Sequence, residues 1–185
     1  MPLELEKLKK LPVELDTVGL EQAENFTPYF CTPIGAELVG SIGCDGVHFV
    51  MLPEDERIFC VDPAMGEPGT YVLPVAENLS RFLSYVLYCR DANPISQIWW
   101  LSEERFCQLL QEDMQASWSG DEEFSERKMK TLDTIGKVFQ IDPIDPYGPV
   151  RALQREFSPD CLQFSDEYYD VLGLERDEKG AVENV

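Results

Sequence analysis

Histidine is nearly absent: His48 is the only one in 185 residues. A catalytic dyad or a zinc site built on imidazole therefore has a single candidate. The six cysteines are Cys31, Cys44, Cys60, Cys89, Cys107 and Cys161, and no two of them stand in a C-x-x-C spacing. That absence argues against a zinc ribbon and against a thioredoxin-type redox pair. Basic residues are scarce, with 15 Lys and Arg against 35 Asp and Glu and a formal net charge of -20. A surface of that sign repels nucleic acid and anionic lipid and attracts cationic partners. No apolar run approaches the ~18 residues of a membrane-spanning helix. The opening residues Met1 to Glu6 lack the basic-then-apolar layout of a signal peptide. The chain is therefore expected to be cytoplasmic, with its thiols free and no membrane contact. No calcium-loop spacing appears either, so no metal and no cofactor is expected.

What the sequence does have is apolar and aromatic content, 44% and 11%, enough for a packed core in one domain over residues 1–174. The acid excess is spread evenly: net charge is -4, -4, -5 and -7 over residues 1–40, 41–90, 91–140 and 141–185. A folded surface must display most of it, with 175–185 as a flexible acidic tail.

Leu3, Leu5, Leu8 and Leu11 give the start an amphipathic pattern. Residues 15–30 read as turns or edge structure. Val47 to Leu52 and Arg57 to Val61 are β-rich and flank the polar break Pro53-Glu54-Asp55-Glu56, which predicts a hairpin with an acidic turn. Asp62-Pro63 stops the second run. Tyr71-Val72-Leu73 reads as a short third strand, which Pro74 places at a sheet edge or at a strand end. Leu79, Phe82, Leu83, Val86 and Leu87 follow helical spacing over 77–90, with Asn78 as N-cap. Asn93-Pro94 opens a further turn of helix, and Ser102-Glu103-Glu104 opens another helix through Phe106, Leu109 and Leu110. Residues 115–123 read as a polar loop, 121–140 as an exposed helix, 149–157 as a short helix, and Ser165 to Leu172 as a helix stopped by Gly173. Strands early and helices late, without alternation, predict an α+β fold: a twisted antiparallel sheet with helices packed on one side.

Few motifs carry chemistry. Cys60, Cys89 and Cys107 sit in apolar runs and read as small core residues. Gly40-x-x-Gly43-x-x-Gly46 has a strand after it rather than a helix, and Cys44 and Asp45 rather than a lysine beside it, so turn glycines outweigh a phosphate loop. Cys44 and His48 form a dyad only if a sharp turn at Asp45-Gly46 brings them together. Asp45 with Glu37, or Glu54-Asp55-Glu56, could pair carboxylates for acid–base work, but a hairpin tip is wet and solvated acids are the stronger reading. In Trp99-Trp100 the two side chains diverge by about 100° on a helix, so one is expected in the core and the other covering a loop or making a surface contact.

Three segments taken in order carry a resemblance. They are Gly43-Cys44-Asp45-Gly46-Val47-His48-Phe49, then Ile58 to Pro63, then Tyr71 to Leu79 running into Phe82-Leu83. Across residues 37–110 the chain resembles the SUKH superfamily, which includes bacterial immunity proteins and fungal cell-wall-synthesis regulators. The Leu-Pro…Asn-Gly run usual before the first strand is missing here. The resemblance implies an α+β fold and a non-enzymatic role, with a protein partner such as a basic, nuclease-like toxin held by occlusion. An acidic surface can imitate a nuclease's substrate, and Asp45, Glu54, Asp55, Glu56 and Asp62 near the hairpin are the candidate contacts. Alternatives are a regulatory or scaffold domain without a toxin partner, and an enzyme using Asp45 and His48.

Overall fold

The structure is a computed structural model, and it describes residues 3–23, 26–116 and 121–175. The tail expected at 175–185 lies outside the described residues from 176 onward, as does the middle of the expected loop at 115–123.

Four antiparallel strands stand in sequential order: β1 (Glu37–Ser41), β2 (His48–Leu52), β3 (Asp55–Val61) and β4 (Val72–Ala76). The β2–β3 hairpin is as expected, but its turn is tighter. Leu52 pairs with Asp55, so only Pro53 and Glu54 lie outside the ladder, and Asp55 and Glu56 belong to β3. β4 is an edge strand, which accommodates Pro74 opposite Phe59. β1 was not anticipated. Its glycine has a reason: a Cβ on Gly40 would lie 2.7 Å from the Cα of Leu20, which crosses there. Glu21 exchanges backbone hydrogen bonds with Ser41 beyond it.

Strand residues alternate between two apolar layers. Phe49, Met51, Ile58, Cys60 and Val75 face the larger one. Into it come side chains of α1 (Leu3–Lys9), α2 (Leu79–Cys89), α3 (Asn93–Ser96), α4 (Glu103–Ala116), α5 (Glu122–Phe139) and α6 (Tyr147–Glu156). α2 is the centre: Leu79, Phe82, Leu83 and Val86 are buried at helical spacing, and the Phe82 ring sits 4.8 Å from that of Phe49. Each such side chain contributes roughly 1.5–3 kcal/mol on burial. The Asn78 side chain accepts from the Arg81 amide at 2.8 Å, the expected cap. At α3 Asn93 is the first helical residue rather than the cap: Ala92 holds the N-cap position without a side-chain hydrogen bond, and the Asp91 carboxylate just before it accepts the Asn93 amide at 3.0 Å. α5 is less exposed than its charge pattern implied. It buries Lys128, Thr131, Leu132 and Ile135, and the Lys128 ammonium meets Asp91 at 2.7 Å.

The main helical layer thus lies on one side of the sheet. The opposite face, with Val50, Phe59, Val61 and Val72, is covered by the segment Phe157 to Leu172, including α7 (Asp166–Leu172). Its anchor is Tyr168, stacked on Phe164 at 4.0 Å.

All six cysteines are free. Cys60 and Cys89 are buried, as is Cys31, whereas Cys107 is exposed and does not belong to the core. Burial pushes the Cys31 thiol up to about 12. Trp99 is half-buried and Trp100 is 47% exposed, so neither is fully in the core.

Candidate functional site

The five acids singled out near the hairpin do not share one patch. Asp45 and Asp62 belong to the His48 end of the sheet, while Glu54, Asp55 and Glu56 belong to the Leu52 end. The two ends are separated by the length of β2, about 13 Å at strand rise.

At the His48 end the polar groups serve the fold. Asp62 is 6% exposed, and its carboxylate accepts the amides of Ala64 and Met65 at 3.1 and 2.9 Å. It closes a turn and is not presented to a partner, which removes it from the contact set. His48 is 1% exposed. Its Nδ1 lies 2.7 Å from the Gly46 carbonyl, which can only accept, so Nδ1 carries the hydrogen. Nε2 then accepts from the Thr32 hydroxyl at 3.2 Å, and that hydroxyl in turn accepts the Tyr29 amide at 2.9 Å. Burial holds the imidazole below its ordinary value of 6.5, against a smaller upward pull from the Gly46 carbonyl. The ring lies between Phe26 and Tyr29, at 5.1 and 5.6 Å.

The turn at Cys44 to Val47 does bring Cys44, Asp45 and His48 to one cavity of about 370 Å³, with Glu21 and Tyr29 among its walls. Both His48 nitrogens are engaged with Gly46 and Thr32, so neither is aimed at Cys44 or Asp45. Acid–base work by His48 would require breaking one of these bonds. Glu21 and Asp45 on the walls also disfavour a phosphate there. Gly40 lies inside β1, so the glycine series is not one continuous loop.

At the Leu52 end the arrangement is open. A groove of about 930 Å³ runs between α1, the β2–β3 turn and the start of α2. Among the described residues its lining holds five carboxylates (Glu4, Glu37, Glu54, Asp55 and Glu56) and no Lys, Arg or His. Leu3, Met51, Leu52, Pro53 and Leu79 supply the apolar part. Asp55 is already compensated. It holds the Arg57 guanidinium at 2.6 Å, and that guanidinium lies over the Phe59 and Phe157 rings at 5.1 and 5.4 Å. Partial burial pushes the Asp55 carboxyl up, but the hydrogen bonds and charge of Arg57 outweigh it and leave it below the usual value. The Ser80 hydroxyl reaches Glu4 at 3.4 Å. Among the described residues neither Glu54 nor Glu56 forms an ion pair. Both are exposed.

Glu54 and Glu56 thus remain as candidate contacts, Asp55 is held by Arg57, and Asp45 sits at the far end. Glu4 and Leu3 were missed. The only sequence signal for them was that Leu3 lies at the outer edge of the leucine pattern of α1, where it is 85% exposed.

No group of three or more His, Cys, Asp or Glu fit to hold a metal occurs among the described residues. No helix there is long and apolar enough to cross a membrane. Comparison with protein-family models, with curated proteins and with solved structures finds no match to this chain. The likeness to the SUKH superfamily therefore rests on the quoted segments of residues 37–110.

Proposed function

We propose that this chain is a non-enzymatic, cytoplasmic docking module of SUKH type that receives a basic protein partner at the groove beside the β2–β3 turn. Neutralisation of a basic, nuclease-like toxin by occlusion is the most specific form of this reading. One observation carries it: a groove of about 930 Å³ whose lining, among the described residues, holds five carboxylates and no Lys, Arg or His side chain. Close charges in a half-enclosed groove are screened less than on an open surface, so they favour a cationic occupant and speed its approach.

The experiment is recovery of partners from the native host by the tagged chain, alongside a Glu54→Lys/Glu56→Lys variant. A partner that is basic, retained at low salt, released at high salt and lost by the variant supports the proposal. A partner held equally by the variant and at high salt contradicts it.

A further inference from the structure

The groove is not purely a charged surface. Met51 and Leu79 are buried beneath it, Leu52 is half-buried and Pro53 is exposed beside it. Leu3 stands on the wall at 85% exposure, the highest among the exposed large apolar residues described. Glu54 and Glu56 flank this strip from the turn, and Glu4 and Glu37 from α1 and β1. A flat basic surface would meet the acidic rim without reaching the strip. A free polyamine would meet the charges and leave Leu3 in water. A volume near the top of the usual range for a ligand pocket, about 300–1,000 Å³, takes a few side chains rather than a domain.

We infer that the groove takes one chain segment of the partner, in which an apolar side chain stands between lysines or arginines. This rests on the docking reading above and adds the chemistry of what docks. The apolar side chain covers Leu3, Leu52 and Pro53. Its basic neighbours reach Glu4, Glu54 and Glu56, and closing over the strip removes water from those pairs and strengthens them. Asp55 does not take part in the pairing, since Arg57 holds it at 2.6 Å.

The test uses the full chain and two synthetic peptides of equal length and charge, one with leucine and one with serine between its lysines, titrated calorimetrically at low salt. The leucine peptide should bind about fivefold tighter than the serine peptide. Leu3→Ser should abolish that advantage without lowering the melting temperature, because the side chain is already in water. Glu54→Gln/Glu56→Gln should weaken both peptides about tenfold. Glu122→Gln/Glu123→Gln, at the exposed start of α5, should leave both within about twofold. Equal affinity for the two peptides overturns the segment proposal and leaves the charge-based docking reading standing. Binding of neither peptide overturns both, as does an equal loss in the α5 variant, which would mark the attraction as a property of the whole acidic surface.

Discussion

At the His48 end of β2 the buried polar groups Thr32, His48 and Asp62 each have a hydrogen-bond partner, and aromatic rings cover the imidazole. At the Leu52 end, some 13 Å along the strand, two glutamates stand exposed beside an apolar strip, with no ion pair to another described residue. Both ends are acidic turns of one sheet and look alike in composition. What separates Asp62 from Glu54 and Glu56 is where the acid's lone pairs point. A carboxylate turned back onto its own backbone holds the fold, while one turned outward carries a charge that the fold does not use. An acidic residue is thus a candidate contact only when the chain has left it unsatisfied.

The strongest way to break this contrast is to remove one acid from each end. Asp62→Ala leaves two amides without their buried acceptor and should cost about 3 kcal/mol in chemical denaturation. Glu56→Gln should stay within about 0.5 kcal/mol. Comparable losses would mean the two ends are not used differently.

A second, smaller contrast concerns the backbone. Gly46 has φ +72°, and a Cβ there would lie 2.7 Å from the Tyr29 ring, so Gly46→Ala should cost about 2 kcal/mol. Glu54 also has positive φ, 62°, but is exposed, so Glu54→Gly should raise stability by about 0.5 kcal/mol. A destabilised Glu54→Gly would show that the glutamate side chain serves the fold after all.

The smallest effect is in pH. Burial holds His48 below 6.5, so the unfolded chain takes up its proton before the folded one does. This contribution to stability is complete above the unfolded value of about 6.5 and is lost as pH falls through it toward the folded value. Protonation would make Nε2 a donor facing the Thr32 hydroxyl, which already receives the Tyr29 amide. Wild type should therefore lose stability below that pH, and His48→Gln should lose less. A steeper loss in the variant would contradict the neutral assignment.

The sequence made the periodic parts legible. The hairpin, the α2 stripe with its Asn78 cap and the Gly173 stop follow from local spacing, and the structure has them. β1 was hidden because Gly40 and Ser41 weaken its strand signal. The glycine is there to let Leu20 cross, a contact twenty residues away in sequence. Asp62 read as a strand stop and an acid, and nothing local announced that its carboxylate would receive two amides. Cys107 follows Phe106 in an apolar run, but α4 turns Phe106 inward and leaves Cys107 in water. The groove itself was invisible, since α1, β1, the hairpin turn and α2 meet only through tertiary packing.

The central claim is that docking belongs to the Leu52 end of β2 and not to the His48 end. The most direct measurement is the map of backbone amide chemical shifts in the isotope-labelled chain during titration with the leucine–lysine peptide. The expected result is a set of changes at Leu3 and Glu4, Leu52 to Glu56, and Leu79 and Ser80. Changes centred on Cys44 to His48 and Asp62 to Met65, or spread evenly over the acidic surface, would contradict it.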